Sequence, residues 1–125
     1  MNYKKNYLLG STLLALAVML GAFGAHGLKK IVSAELIQTY QTGITYHYYH
    51  AFGLLFLGVI SQLNPQLNVK KTMMAFVFGI LFFSFNCYLY VVTQVKTFAM
   101  IVPLGGVAFI LGWLLLAKEI YKELK

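Results

Sequence analysis

Three histidines and one asparagine carry the polar chemistry inside the apolar parts of this 125-residue chain: His26, His47, His50 and Asn86. His26 closes the stretch GAFGAHGLKK, residues 21–30, where a hydrophobic run gives way to two lysines. His47 and His50 stand three residues apart, one turn on a shared helix face, with Tyr46 beside them. Imidazoles in apolar surroundings suit a proton or solute path, a metal site, haem ligation from two sides, or a hydrogen-bonded network between helices. A zinc site wants Cys or carboxylate ligands at close spacing, and none accompanies these histidines. Cys87 is the lone cysteine and no C-x-x-C-H motif exists, so covalent haem attachment is excluded. No metal and no cofactor is expected, although these residues leave non-covalent haem ligation open beside the path and the network.

Hydrolytic chemistry is poorly supplied. The side-chain carboxylates are Glu35, Glu119 and Glu123. Glu119 and Glu123 lie in the tail KEIYKELK, spaced for ordinary pairing with Lys122 and its neighbours on a helix surface. No carboxylate pair is placed for general acid and base work. Ser84 has no base beside it in the sequence. Gly105-Gly106 sits in an apolar run without the following lysine of a phosphate loop. The sequence therefore predicts no enzyme.

The elements that must position these residues are membrane helices. The chain is 60% hydrophobic and 10% charged, against about 25% charged in an ordinary soluble domain. Four apolar segments stand out, at about 7–28, 44–63, 72–93 and 98–117, in a single domain covering 1–125. Each is roughly 20 residues, enough to cross a hydrocarbon core of about 30 Å as a helix. The first exceeds the 7–15-residue core of a cleaved leader, so it reads as a retained helix. The expected fold is all-α, a four-helix transmembrane bundle. A short amphipathic interfacial helix is expected between helices one and two, either separate or running into helix two, with Ser33 as N-cap and Glu35 in its first turn. Residues 64–71 form a polar turn around Pro65, and 94–97 is short enough to make helices three and four antiparallel neighbours.

The net charge of +7 comes from lysines alone. They pair beside apolar runs, as membrane flanks do, and no basic helix face suggests nucleic acid. Four crossings place Lys4, Lys5, Lys70, Lys71, Lys118, Lys122 and Lys125 on one side and Lys29, Lys30 and Lys96 on the other. The positive side stays in the cytoplasm, with both termini. In that frame His26 lies one turn inside the outer end of helix one. His50 lies about 9 Å and Asn86 about 12 Å below the outer ends of their helices. We therefore expect His26, His50 and Asn86 to meet between helices one, two and three, with Tyr46 as a further partner. His47, one turn nearer the outer surface, is expected to matter less.

Small residues mark the faces where helices touch in lipid: Ala17, Gly21, Gly24 and Ala25 on helix one, and Gly105, Ala108 and Gly112 on helix four. They serve packing within the bundle or between copies of the chain. The tyrosines and Trp113 fall where headgroup-level aromatic belts belong.

The motifs GAFGAHGL at 21–28, YQTGITYHYYHAFGLL at 40–55 and PLGGVAFILGWLLL at 103–116 resemble a family of small bacterial membrane proteins of unknown function. It includes YgdD-like and YwdK-like proteins and the eukaryotic transmembrane protein 256. The matching residues are Gly24, His26, Gly27, Tyr40, Gly43, His50, Pro103, Gly105 and Gly106. The resemblance implies a multi-pass protein of the bacterial cell membrane with about four helices, and no activity. The chain departs from the pattern at Asn86, Cys87 and Tyr88, where small residues are usual, which argues against close approach by helix three. The functional expectation is a non-enzymatic scaffold or accessory subunit of a membrane assembly. A small transporter or channel using the outer polar cluster is the alternative, and a haem-binding redox subunit the third. The bilayer, another copy or a membrane-protein partner are the expected contacts.

Overall fold

The computed structural model describes residues 2–124, and these are almost entirely helical. Helix α1 spans Asn2–Ala25 and passes through a 3-10 turn, Leu28–Lys30, into α2, Ala34–Leu63. Helix α3 runs Lys70–Thr93 and α4 runs Lys96–Leu124. Such segments become helices because lipid offers no partner to backbone groups, and a helix satisfies its own. Three stretches are long and apolar enough to cross a membrane: Tyr3–Lys30, Lys70–Thr93 and Lys96–Leu124. Helix α2 has the length, but its His- and Tyr-rich first half keeps it out of that set.

The separate interfacial helix does not exist. Residues from Ala34 onward are the first turns of α2 itself. Ser33 is the N-cap, its Oγ accepting the Leu36 N–H at 3.2 Å. No proline interrupts the segment, and Gly43 is held inside the helix by its neighbours. The α2–α3 turn begins at Asn64, whose Nδ2 donates to the Ile60 carbonyl. At the α3–α4 turn Gln94 takes the left-handed conformation, φ 58°, and the Val95 N–H donates to Thr93 Oγ1.

Helix α2 is the hub. It packs along α1 and α3 and reaches α4 through the His50 side chain, and it buries Tyr40, Ile44, His47, His50, Ala51, Leu54 and Leu57. Two apolar clusters result. One holds Leu54, Leu57, Met73, Phe76 and Leu116; the other holds Leu28, Tyr40, Ile44, Cys87, Tyr88 and Val91. Helix α3 does approach closely. A Cβ on Gly43 would stand 2.8 Å from the Cys87 Cβ, so the glycine of α2 makes room that α3 lacks. Tyr40 and Tyr88 are buried in this cluster instead of lying in a headgroup belt.

Among the small residues, Ala17, Gly24, Gly105, Ala108 and Gly112 are buried. Gly21 is half-buried, with its nearest neighbours at 3.9 Å, and Ala25 is exposed. The contact face of α1 runs instead through Asn6, Gly10, Leu13, Ala17 and Gly24. Gly10 is its tightest point toward the middle of α2, where a Cβ would lie 2.9 Å from the Ala51 carbonyl oxygen.

Helix α3 is irregular at its centre. Residues Ile80–Ser84 form a π-helical turn, with the Phe85 N–H donating to the Ile80 carbonyl. Such a turn inserts one extra residue and displaces carbonyls from the α-helical ladder. Gly105 of α4 presses on it: a Cβ there would stand 2.6 Å from the Phe82 carbonyl carbon.

Candidate functional site

The interior histidines join helix to helix. His47 is fully buried. Its Nε2 lies 2.8 Å from the Leu13 carbonyl oxygen of α1, and its Nδ1 lies 2.8 Å from the Tyr88 hydroxyl of α3. A carbonyl only accepts, so Nε2–H donates to Leu13 and Nδ1 accepts the Tyr88 O–H. One ring thereby ties three helices.

The Leu13 carbonyl is reachable for a reason written in α1. A helical side chain covers the turn before its own Cα, so residue 17 screens carbonyl 13. Ala17 ends at Cβ and leaves it open. The device repeats seven residues on. The Tyr40 hydroxyl donates to the Leu20 carbonyl, and the screening position is Gly24, where a Cβ would stand 2.8 Å from Tyr40 Cδ2. The partners step from 13 to 20 along α1 and from 47 to 40 along α2, as antiparallel packing requires.

His50, rotated by about 60° from His47, faces α4. Its Nδ1–H donates to the Tyr46 carbonyl at 2.8 Å, and its Nε2 accepts the Trp113 indole N–H at 3.0 Å. Its ring lies flat on Phe109, with centroids 3.6 Å apart. His47 and His50 thus use opposite ring nitrogens as donors, and neither keeps a nitrogen for a metal or a haem iron in this arrangement. Among the described residues, no group of three or more His, Cys, Asp or Glu side chains is placed to hold a metal ion.

Asn86 turns back on its own helix. Its Nδ2 donates to the carbonyls of Leu81 and Phe82, at 3.2 and 3.0 Å, which the π turn displaces. His26 lies exposed beyond the end of α1, its backbone N–H on the Ala22 carbonyl. Its ring has no hydrogen-bond partner among the described residues. The structure therefore does not bring His26, His50 and Asn86 together. His50 is taken by Trp113, Asn86 by the π turn, and His26 is an end-of-helix residue. Replacing His26 by alanine is expected to leave the detergent unfolding midpoint nearly unchanged, within about 0.5 kcal/mol.

Tyr46 contributes its backbone carbonyl to His50, and its ring meets Phe83 edge-on and lies parallel to Phe109. These rings, with Tyr49, His50, Pro103, Gly106, Val107, Ile110 and Trp113, line a groove of about 570 Å³ between α2, α3 and α4. Sequence reasoning missed Trp113 and Tyr88 as histidine partners. Their positions in apolar helix interiors were the available signal.

A bundle of long apolar helices, cross-linked inside by histidine hydrogen bonds, defines a small helical membrane protein. The chain belongs to the family described as protein of unknown function DUF423, whose profile matches residues 20–106. It is 41% identical to the UPF0382 membrane protein SSP2132 of Staphylococcus saprophyticus over 92% of this chain and 95% of that one. It is 39% identical to the UPF0382 membrane protein YwdK of Bacillus subtilis, over 94% of this chain and 96% of that one. No solved structure matches the chain.

Proposed function

We propose that this protein is a four-span membrane protein with both termini in the cytoplasm, acting without catalysis as a scaffold or accessory subunit of a membrane assembly. The observation that carries the reading is the use of both ring nitrogens of His47 and of His50 in helix-to-helix or helix-stabilising hydrogen bonds. Groups saturated in this way hold a bundle together and leave neither histidine a free ring nitrogen to pass a proton or bind a solute. The same saturation speaks against haem ligation.

Helix α2 is the span that composition leaves open. Its contacts with α1 extend from Tyr7 on Gln62 to Tyr40 on Leu20. A helix lying antiparallel along a membrane-crossing partner for that length crosses the same depth. The lysine asymmetry supports the direction with both termini inside. In a Cys87→Ser background, Gln38→Cys should react with an impermeant thiol reagent on intact cells, and Gln66→Cys should not. The reverse pattern, or labelling of both, contradicts the topology.

The accessory role is tested by extracting the chain from its own membrane at native abundance in mild detergent. A native gel should place it in a species well above its 14.1 kDa mass plus detergent, together with other polypeptides. Migration solely as a free chain, or solute flux in liposomes holding the purified protein, would replace this reading with another.

A further inference from the structure

The groove between α2, α3 and α4 lies at mid-depth. Tyr46 is the thirteenth of 30 residues in α2, Phe83 the fourteenth of 24 in α3 and Phe109 the fourteenth of 29 in α4. Its volume of about 570 Å³ falls within the usual range of ligand pockets, roughly 300–1,000 Å³. The walls are aromatic: Tyr46 meets Phe83 edge-on at 4.9 Å and lies parallel to Phe109 at 6.2 Å, and Trp113 also lines the groove. On the α4 side Gly106 leaves space, because a Cβ there would meet only the Phe83 ring, at 3.6 Å.

Two polar groups in this groove are unaccounted for. The structure gives the phenols of Tyr46 and Tyr49 no acceptor among the described residues. His50 cannot supply one, since Trp113 occupies its Nε2. Tyr49 is 61% exposed on the face turned to lipid. A hydroxyl at hydrocarbon depth without a partner is unfavourable, so these donors call for an acceptor that reaches the middle of the bilayer. A phospholipid carries its carbonyls at the headgroup level, and its tail offers no acceptor at this depth. A planar ring bearing carbonyl oxygens on an apolar tail satisfies both the stacked walls and the donors.

We propose that this groove binds a lipid-soluble quinone, its ring against Tyr46, Phe83 and Trp113 and a carbonyl accepting from Tyr49 or Tyr46. The site does not depend on the accessory role. Trp113 is the sole tryptophan and lines the groove, so its fluorescence reports occupancy. The full chain in phospholipid nanodiscs would be titrated with a short-chain menaquinone. Quenching should saturate. Gly106→Leu, which fills the space, should raise the half-saturating quinone fraction at least tenfold. Tyr49→Phe, a lipid-facing change that leaves the packing alone, should raise it about fivefold, the effect of one ordinary hydrogen bond. Quenching that rises linearly and equally in all three proteins overturns the proposal. So does a mid-chain nitroxide phospholipid that saturates with the same variant dependence, since that assigns the groove to an acyl chain.

Discussion

Replacing Gly105 by alanine is expected to destabilise the protein by about 3 kcal/mol, while the same change one residue later, at Gly106, costs no more than about 0.5 kcal/mol. The two glycines are adjacent in α4, and helix propensity favours alanine equally at both. What differs is the neighbour. A Cβ at Gly105 would stand 2.6 Å from the Phe82 carbonyl carbon and 2.7 Å from the Phe83 Cα. These are backbone atoms and cannot rotate aside. They also belong to the π turn that Asn86 braces, so moving them strains two hydrogen bonds. A Cβ at Gly106 would stand 3.6 Å from a ring edge, an ordinary contact. Unfolding of both variants in detergent, followed by helical circular dichroism, gives the comparison. Equal losses would show that the α3–α4 approach is looser than the geometry states.

The apolar segments made the helices legible. Their ends at Leu63 and Thr93 follow from Asn64-Pro65 and from the short QVKT link. The start of α2 was less legible, because a polar run such as AELIQTYQTG reads as interfacial when its partner helix is unseen. It enters the bundle because Tyr40 finds the Leu20 carbonyl and Gly43 finds Cys87. Depth counting placed His50 and Asn86 inside the bundle, but depth does not give azimuth. Three residues on a helix differ by about 60° in direction, enough to send His47 toward α1 and α3 and His50 toward α4. The Leu13 carbonyl could not be found from side chains at all. It is a backbone group, and only the small Ala17 four residues on hints that it is open. The π turn was equally hidden, since nothing in GILFFSFN announces an inserted residue. That is why Asn86 read as a partner for histidines and not as the brace of its own helix.

His47→Phe should bring a loss of about 2–3 kcal/mol, although phenylalanine nearly preserves the volume. The imidazole is fully buried and bridges α1 and α3 through two bonds of 2.8 Å. Interhelical hydrogen bonds in membranes average only about 0.6 kcal/mol each, so losing two accounts for about half of the effect. The rest comes from the groups left behind, and these differ. The Leu13 carbonyl lies within the regular α1 helix, so its ladder bond remains. The Tyr88 hydroxyl loses its direct partner and keeps only the buried Ser84 hydroxyl within reach, so its cost falls toward the low end of the about 1–3 kcal/mol for an unpaired buried donor. Removing the orphaned hydroxyl with Tyr88→Phe should recover part of the loss, so the double variant should be less damaged than the sum of the singles. The coupling should be on the order of 1 kcal/mol. His50→Phe combined with Tyr88→Phe should be additive, because His50 bonds to Trp113 of α4 and shares no partner with Tyr88. Additivity in the His47–Tyr88 pair as well would mean that the ring holds its place by packing, with its hydrogen bonds contributing nothing.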